Sequence, residues 1–583
     1  MFATLLQTAG KALRSSNKRV LIDLLFLAGM LWVAHFWYFR SFGLYEDDYS
    51  HISPPLGWNL SDLIGSFYVL VYWPLGRPLG WFLNFSLAFL GGQLGGLPVL
   101  YIMNFLIQVS NAFLFYFLLR RIGYEVIALV GAAIFGLFPA TTTHIFLMHA
   151  LGQEYVSLMF LLIAMHCYLS GRKPVAYLFS LACLLTYETP YTVFLVAPLL
   201  LLPWDRKLLK QMLRHAALWL AILLTVVIIR GLMGEGRIEG AGSSVAGVVE
   251  ILRRILTSLY LGPKAALKTF AGGPLWVLSH WSPELAIVLL VSLPAFFFML
   301  RRLGSGAAMR NAEDASDPAP GFPGLKSGWL SRFLHPQLLK LLLTAIIMLS
   351  AAYLFSFTHY PPTASYGRLT SVHLAATLGG ALLFAGLGLL LLTVLRTRGL
   401  GYAGVFLVAL YLSSLVAYGF TIQEDFKDAW RNEQKFWSSV VAMVPDASEG
   451  TVIIVWDRGL PQSHFIESNS WADPLVLEQI FDFPAQWKTP PRVWVVDKTW
   501  TRLLDGKTGE ITWVVPPATW PGGRSALPQG NTILLEYKQG KLIRDSGDFM
   551  VEGHPLHLKT LTPGANPGWQ PGPLYPLLIG TTQ

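Results

Sequence analysis

The fold is decided by one stretch of the chain, residues 20–51, which reads VLIDLLFLAGMLWVAHFWYFRSFGLYEDDYSH. Its first part, 20–39, is mostly apolar and at about 1.5 Å per residue spans a hydrocarbon core of roughly 30 Å. Three consecutive carboxylates, Glu46, Asp47 and Asp48, follow shortly afterwards. The stretch therefore predicts a membrane-spanning helix with a strongly acidic segment at its exit.

The composition of the whole chain is that of a polytopic membrane protein. Of its 583 residues, 54% are hydrophobic and only 13% are charged, and the mean hydropathy is +0.50. The two cysteines, Cys167 and Cys183, lie in apolar segments, which excludes a disulfide framework or a cysteine-rich metal site. The net charge of +9 comes from short basic clusters between apolar runs, so it indicates orientation rather than nucleic-acid binding.

About eleven apolar runs are long enough to be predicted as membrane spans. The basic residues before the first run and in alternate loops place the N-terminus in the cytoplasm by the positive-inside bias. An odd number of spans then places the C-terminal region outside. The predicted spans are 20–39, 97–119, 124–140, 153–170, 174–187, 190–203, 215–231, 284–300, 338–357, 372–395 and 400–420.

The chain divides into two predicted domains. Residues 1–420 form the membrane domain, with a long first outer loop at 41–96, an outer loop at 232–283 and a cytoplasmic loop at 301–337. Helical spacing of apolar residues within 232–283 predicts an amphipathic helix that lies on the membrane surface. Residues 421–583 combine a charged helical pattern with short β-type runs, which predicts a small extracytoplasmic α/β domain.

With this topology, the polar residues that are unusual in an apolar chain collect at the outer membrane boundary. Ionisable groups near membrane depth are costly and tend to line functional sites. The outer boundary is therefore the predicted site, with the acidic triplet as its catalytic part. The candidate substrate-binding residues are Arg77, His144, Gln153, Glu154, Tyr187, Glu188, His359, Tyr366 and Arg368.

Several of these residues also have purely structural interpretations. The acidic triplet is consistent with a solvated helix end, Glu188 with a cap on the next helix, and Arg368 with an anchor at the membrane interface. His144 and His149 are consistent with a zinc pair, although a hydrogen-bonding role is the preferred interpretation.

Metal dependence stays open at the sequence level. Adjacent carboxylates suit a hard divalent cation such as Mg²⁺ or Mn²⁺, so Glu46 and Asp48, with His51, are candidate ligands. The same carboxylates need no metal if they act as bases.

The combination of an outer carboxylate and an outer arginine suits glycosyl transfer from a polyprenyl-phosphate sugar. A positioned carboxylate accepts the proton of the acceptor hydroxyl as it attacks the anomeric carbon. A guanidinium offers the departing phosphate a planar set of permanently charged donors. The sequence contains no GxxxxGK[ST] motif and no convincing GxGxxG motif, which fits a lipid-linked donor used outside the cell.

Five local patterns, taken in order and on their predicted sides of the membrane, resemble the GT-C class of integral-membrane glycosyltransferases. Together they cover about residues 20–395. TYE at 186–188 stands where the polyprenol-phosphate-sugar branch has SKE, and YGRL resembles the Arg-Tyr-containing outer loop of that branch. The patterns are EDDYS (46–50), GRPLGWF (76–82), HIFLMHALGQEYVSLMFLL (144–162), LACLLTYETPYTVFLVAPLLLL (181–202) and YGRLTSVHLAATLGGALL (366–383).

The resemblance implies a GT-C fold and roles for four residues. Asp47 would be the leading base, Glu46 and Asp48 its neighbours or metal ligands, and Arg368 the contact to the donor phosphate. Two departures limit the transfer of roles: TYE lacks the lysine of SKE, and residues 421–583 have no recognised counterpart.

The predicted function is thus a multi-pass membrane glycosyltransferase of the cell envelope, which moves a sugar from a polyprenyl-phosphate donor to an extracytoplasmic glycan, lipid or protein. A transporter or flippase of a lipid-linked substrate is the first alternative. It predicts charges near the membrane midplane and paired broken helices in repeated halves, and neither is evident in the sequence. A non-catalytic envelope assembly protein is the second alternative.

Overall fold

The fold is described from a computed structural model of the chain. The residues that the structure describes are 17–122, 125–201, 204, 206–235, 245–304, 336–356, 360–364, 367–456, 473–496, 504–505, 511–514, 524–538, 541–564 and 568–580. Two predicted site residues, His359 and Tyr366, lie outside these ranges, as does most of the predicted cytoplasmic loop 301–337.

The protein is mostly helical, with a small strand-containing region at its C-terminal end. The helices are α1 (Asn17–His35), α2 (Asp48–His51), α3 (Ser53–Leu56), α4 (Leu60–Ser66), α5 (Val69–Tyr72), α6 (Pro78–Leu94), α7 (Leu97–Arg121), α8 (Glu125–Gly136), α9 (Leu147–Leu151), α10 (Glu154–Leu169), α11 (Lys173–Thr186), α12 (Glu188–Phe194), α13 (Arg206–Leu232), α14 (Val245–Ser279), α15 (Pro283–Gly304), α16 (Pro336–Ala351), α17 (Ala376–Thr397), α18 (Gly401–Met443), α19 (Asp473–Ile480) and α20 (Tyr575–Leu578). The strands are β1 (Val452–Trp456), β2 (Phe481–Asp482), β3 (Arg492–Val496), β4 (Leu504–Asp505), β5 (Thr512–Val514), β6 (Arg524–Ala526), β7 (Thr532–Lys538), β8 (Lys541–Arg544), β9 (Asp548–Val551), β10 (His554–His557) and β11 (Gln570–Pro571).

Within the described ranges, seven helical segments are long and apolar enough to cross a membrane. These segments are Lys18–Ser41, Leu97–Arg121, Leu147–Leu169, Arg206–Leu232, Pro283–Arg302, Ala376–Thr397 and Gly401–Met443. Shorter apolar helices lie at Leu60–Tyr72, Val126–Gly136, Lys173–Thr186 and Gln337–Ala351. At about 1.5 Å per residue these shorter helices do not reach across a hydrocarbon core of roughly 30 Å on their own. The apolar helices indicate a membrane protein, and the structure gives seven full-length segments where the sequence predicts about eleven.

Two predicted spans differ from the helices in the structure. The run 190–203 is not one helix: α12 ends at Phe194, and a short 3₁₀ turn, Ala197–Leu200, follows it. Each of the two elements has a proline in its first turn, Pro190 and Pro198, where the missing N–H costs nothing. Within one continuous helix Pro198 would interrupt the backbone hydrogen bonds, so the sequence favours two short helical elements. The run 400–420 is longer than predicted, because α18 continues without a break for 43 residues to Met443.

The predicted surface helix within 232–283 is a single helix of 35 residues, α14, and one face of its second half contacts the bundle through Phe270. The ring of Phe270 stacks on Phe384 with centroids 3.7 Å apart, and the Tyr411 hydroxyl donates to the Phe270 carbonyl oxygen at 3.2 Å. Its first half does expose Leu252 and Leu256. The second half also exposes Leu275 and Leu278, so only one of its faces packs against α17 and α18, and a position of the helix at the membrane surface stays a prediction.

At one crossing in the bundle, a glycine lets the backbones of α16 and α17 approach each other closely. An added Cβ at Gly379 of α17 would lie 2.3 Å from the backbone nitrogen of Leu349 in α16. Small residues at such crossings let helices in a bilayer gain van der Waals contact that apolar burial alone does not provide.

The C-terminal region contains a four-stranded sheet in the order β3-β1-β7-β8. Strand β1 is parallel to β3 and β7, whereas β8 is antiparallel to β7. Arg544 of β8 pairs with Asp446 just after α18, with both side chains almost completely buried. The long helix and this ion pair therefore fix the sheet to the end of the helix bundle.

Candidate functional site

The acidic segment lies at the end of the bundle that carries the C-terminal sheet. The chain leaves α1 and turns between α7 and α18, where the Tyr101 hydroxyl donates to the Gly43 carbonyl at 2.6 Å and the Tyr45 hydroxyl donates to the Phe426 carbonyl at 2.9 Å. A side chain at Gly43 would overlap the ring of Trp430. This tight packing places the carboxylates that follow in a fixed position.

Asp47 forms an ion pair with Arg368, which lies 321 residues later in the chain. The Arg368 Nη2 atom lies 2.9 Å from Asp47 Oδ2, and Nη1 lies 3.5 Å from Oδ1. The Asp47 side chain is only 8% exposed, whereas that of Arg368 is 31% exposed. The structure thus brings these two predicted site residues together, with the arginine on the open side. Glu46, beside them, has a backbone φ of 48°, a left-handed conformation that is rare for a residue with a side chain.

Asp48 points into the protein instead. Its Oδ2 accepts hydrogen bonds from the backbone N–H groups of Tyr45 and Leu147, and its Oδ1 accepts one from Met148. The carboxylate therefore joins the first loop to the N-terminus of α9, which is a positioning role. Complete burial raises its pKa from 3.8 to about 7, and the three N–H groups oppose that rise.

Replacing Asp48 with Asn is expected to lower thermal stability, because an amide group offers one acceptor atom and turns two hydrogens towards N–H donors. An unpaired buried donor costs about 1–3 kcal/mol. The pKa of Asp48 is higher in the folded than in the unfolded protein. Its contribution to the free energy of unfolding of the wild type is therefore greatest below about pH 4 and falls as the pH rises towards 7. The difference in melting temperature between variant and wild type should thus be larger at pH 5 than at pH 8, measured in detergent. An equal difference at both pH values would contradict this role.

A second ion pair, between Arg77 and Glu188, lies close to the first. Arg77 Nε donates to Glu188 Oε2 at 2.8 Å and Nη2 donates to Oε1 at 2.9 Å, while Nη1 donates to Gln153 Oε1 at 3.3 Å. The guanidinium also lies over the ring of Tyr187, 4.3 Å from its centre. Burial alone would raise the pKa of Glu188, but the Arg77 charge lowers it to about 2. Tyr187 interacts in turn with Ser371, three residues beyond Arg368, so the two ion pairs belong to one site.

His149 and Glu154 form the third polar pair of the site. His149 Nδ1 lies 2.9 Å from Glu154 Oε1, although the two atoms are not aligned as a hydrogen bond. The other carboxylate oxygen accepts a hydrogen bond from the Thr143 hydroxyl at 2.5 Å. Glu154 is completely buried, and because a buried polar group without partners is costly, its contacts to His149 and Thr143 stabilise its position.

His144 faces away from this pair, into the bundle. Its ring lies 4.1 Å from that of His35, and both line an internal cavity of about 20 Å³ with Asn111, Thr141 and Tyr155. That volume holds about one water molecule. Burial lowers the pKa of His144 well below its usual value, so the ring is neutral. The structure therefore does not bring His144 and His149 together as a zinc pair.

Several of the buried polar atoms that have no hydrogen-bond partner in the described part of the chain belong to residues beside the Arg77 pair. They include both side-chain atoms of Asn84, Nε1 of Trp81, Nε2 of Gln153 and Oγ1 of Thr189. Asn84 fills the space over Gly152, where an added Cβ would lie 2.3 Å from its Oδ1. Buried polar groups are nearly always paired in native proteins, so such a cluster is typical of a site that receives a polar ligand or ordered water.

The candidate metal ligands are not gathered into one site. Both oxygens of Asp48 are engaged by backbone N–H groups, and the His51 ring packs edge-on against Trp81 with centroids 4.4 Å apart. Burial lowers the pKa of His51 to about 4, against the opposing effect of Asp47. No group of three or more His, Cys, Asp or Glu side chains among the described residues is placed to hold a metal ion.

Sequence reasoning missed Trp81 and Asn84, although a signal was present. Arg77, Trp81 and Asn84 recur at helical spacing, so they lie on one face of the segment that begins α6. A polar residue repeated on one face of an apolar helix is costly in a membrane and could have been included.

The function of this chain has to be inferred from the residues of the site. Comparisons with protein-family models, curated proteins and solved structures find no match to the chain.

Proposed function

We propose that the protein is a GT-C-type membrane glycosyltransferase that moves a sugar from a polyprenyl-phosphate donor to an extracytoplasmic acceptor. In this proposal the seven long helices and the shorter apolar helices together make about eleven membrane passes, some of them short or broken. The N-terminus is cytoplasmic, and the site and the C-terminal domain face outwards.

The observation that carries the proposal is the Asp47–Arg368 pair, with its carboxylate 2.9 Å from its guanidinium. Glycosyl transfer needs a proton acceptor beside the incoming hydroxyl and a positive charge beside the departing phosphate. Here one group of each kind is held at the same end of a membrane bundle, and the more exposed of the two is the arginine.

The pair also suggests how donor binding readies the base. The donor phosphate is a diester whose two non-bridging oxygens share one negative charge, so it competes with Asp47 for the guanidinium. Once Arg368 turns to the phosphate, the Asp47 carboxylate is left to accept a proton. The acceptor oxygen then bonds to the anomeric carbon, the bond from that carbon to the phosphate oxygen breaks, and the acceptor proton moves to Asp47. The lipid phosphate leaves with its negative charge against Arg368.

The polar atoms around Arg77 fit the sugar in this scheme. Asn84, Gln153 and Trp81 provide buried amide and indole groups that suit hydroxyl groups of a sugar ring. The Arg77–Glu188 pair fixes this part of the site, because each group is satisfied by the other. Glu46 stays a neighbour that adds negative charge near the anomeric carbon, where positive charge develops.

The test is a transfer assay with the purified full-length protein in proteoliposomes. Labelled sugars on polyprenyl phosphate, and the same sugars as nucleotide sugars, are supplied with an envelope extract as acceptor. We expect release of polyprenyl phosphate and labelling of the extract from the lipid-linked donors only. Transfer from nucleotide sugars would contradict the proposal, and so would movement of an intact lipid-linked sugar across the bilayer without its cleavage.

A further inference from the structure

We propose that the C-terminal domain, residues 421–583, is a fixed part of the catalytic site, in which Gln479 is a positioning residue for Asp47. This domain has no recognised counterpart in the GT-C class, and no step of the proposed transfer uses it. The catalytic consequence of the inference rests on the proposed function, whereas the contact between the domain and the acidic segment does not.

A side chain of the C-terminal domain contacts the backbone of the acidic segment. Gln479, in α19, donates from its Nε2 atom to the Tyr49 carbonyl oxygen at 2.8 Å. Tyr49 lies two residues after Asp47, in α2, a helix of only four residues. The last four carbonyl groups of a helix have no partner within it, so a helix this short depends on donors from outside. Gln479 is such a donor, and it lies 430 positions later in the chain.

The turn that contains Tyr49 also determines where Asp47 lies. The Asp47 carbonyl oxygen accepts hydrogen bonds from the N–H groups of Ser50 and His51 and from the Ser50 hydroxyl, each at 3.1 Å. The backbone from Asp47 to His51 is therefore one hydrogen-bonded unit with the Tyr49 carbonyl inside it. Arg368, 2.9 Å from the Asp47 carboxylate, belongs to a distant part of the chain. A displacement of Tyr49 would thus change the distance between the two charged groups.

Gln479 is itself fixed by the segment that leads into α20. The Leu574 N–H donates to the Gln479 carbonyl oxygen at 2.9 Å. An added Cβ at Gly572 would lie 2.7 Å from the same oxygen, so a larger residue does not fit there. The segment is bound to α18 in turn, because the Gln434 Nε2 atom donates to the Leu577 carbonyl oxygen at 2.9 Å. The side chain that reaches α2 therefore projects from a backbone that has its own supports.

The domain contacts the first outer loop on both sides of Asp47 in the sequence. Before it, the Tyr45 hydroxyl donates to the Phe426 carbonyl oxygen of α18. After it, Pro573 packs on Gly57, which directly follows α3, and an added Cβ at Gly57 would lie 3.3 Å from the Pro573 Cγ atom. These contacts, together with the Gln479 hydrogen bond, enclose the segment that carries Asp47.

The contacts favour a fixed domain over a lid that opens during turnover. Helix α18 continues without a break from the bundle into the domain, and the buried Arg544–Asp446 pair fixes the sheet to the end of that helix. Movement of the sheet away from the acidic segment would have to break this pair and the Gln479 hydrogen bond together. Breaking a buried ion pair is costly, so the closed arrangement is the stable one.

The first experiment measures kcat and KM for the lipid-linked donor in proteoliposomes, for wild type, Gln479→Met and Gln529→Met. Methionine has a side chain of similar length but no donor. Gln529 is the matched control: it is exposed in the same domain, and its Nε2 atom donates to the Pro555 carbonyl oxygen at 3.3 Å.

We expect Gln479→Met to lower kcat about tenfold and to change KM for the donor less than about twofold, because misplacement of a reacting group by about 1 Å lowers the rate and Arg368 is untouched. Gln529→Met should have the wild-type kcat. An unchanged kcat in Gln479→Met, even with a lowered melting temperature, would overturn the inference, since the contact would then be merely structural.

The second experiment tests whether the domain stays in place during turnover. An added Cβ at Gly57 would lie 3.7 Å from the Cβ of Pro573, a separation that suits a disulfide. The native cysteines, Cys167 and Cys183, are buried. We therefore expect Gly57→Cys with Pro573→Cys to form one disulfide between the introduced cysteines, detected by mass spectrometry.

The oxidised double variant should transfer sugar at the rate of the reduced one. Loss of transfer on oxidation that reduction restores would identify a lid and overturn the inference. A folded double variant in which no disulfide forms would contradict the contact on which the inference depends.

The third experiment does not depend on activity. Hydrogen exchange is measured by mass spectrometry for residues 45–52 without substrate. We expect these amides to exchange about fivefold faster in Gln479→Met than in wild type and Gln529→Met, as the loss of one hydrogen bond would produce. If wild type transfers no sugar but exchange changes in this way, the proposed function fails while the positioning contact stands. Equal exchange in the three proteins would overturn the inference itself.

Discussion

Replacing Asp47 with Asn is expected to lower the rate of sugar transfer by about 10²–10⁴-fold, the range that a positioned general base contributes. The amide keeps the shape of the side chain but cannot accept the acceptor proton. It also loses the charge that faces Arg368 at 2.9 Å. Donor binding should be retained or strengthened, because Arg368 is no longer shared with a carboxylate. The measurement is kcat and KM for the lipid-linked donor in proteoliposomes.

Asp428→Asn is the matched control for this prediction. Asp428 lies on α18 with its side chain 61% exposed and pairs with Arg431 on the same helix. The control should transfer sugar at the wild-type rate. A retained rate in Asp47→Asn, with the protein folded and the donor saturating, would remove Asp47 from the catalytic role.

Replacing Arg77 with Met is expected to produce the largest loss of stability among the site variants. The change leaves Glu188 buried without its bidentate partner, with its side chain 17% exposed. Removing one member of a buried ion pair costs about 3–5 kcal/mol, because the remaining charge stays uncompensated. The variant should also misplace Gln153 and Tyr187, so we expect residual transfer to fall with stability. The measurement is the melting temperature in detergent.

Two further variants separate the pair from its surroundings. The double variant Arg77→Met with Glu188→Leu should recover much of the lost stability, because neither charge then remains buried. Arg253→Met, on the exposed face of α14, should change the melting temperature little.

Acidification supplies an independent check. The pKa of Glu188 in the folded protein is lowered to about 2, so its contribution to the free energy of unfolding is present above about pH 4.5 and decreases as the pH falls below that value. Equal melting temperatures for Arg77→Met and wild type would contradict the pair's structural role.

The long apolar helices could be predicted from the sequence because their signal is local. Eighteen or more apolar residues in a row have few structures available to them in a bilayer. The extent of α18 could not be predicted in this way, since hydropathy marks where the apolar part ends and not where the helix ends. Likewise the burial of Phe270 in α14 depends on Phe384 and Tyr411, which lie more than a hundred residues away.

In the candidate site, too, the sequence predicts which residues matter but not how they contact each other. Glu46, Asp47 and Arg368 stand out in the sequence because charge is rare in an apolar chain. Their arrangement was not predictable, because the Asp47–Arg368 contact joins residues 321 positions apart and the adjacent Asp48 turns inwards to three backbone N–H groups. The packing of the turn after α1 determines that Asp47 and Asp48 point in different directions, and no local sequence pattern encodes this.

The central proposal is that Asp47 is the base for transfer from a polyprenyl-phosphate sugar, and one measurement tests it most directly. Lipid-linked sugars and envelope glycans are compared by mass spectrometry in a deletion strain complemented with wild type, with Asp47→Asn or with Asp428→Asn, each expressed to the same level. We predict that the deletion and Asp47→Asn strains accumulate one polyprenyl-phosphate sugar and lack the same glycan, lipid or protein modification. Wild type and Asp428→Asn should restore it. Identical profiles in all strains under conditions of expression would contradict the proposal.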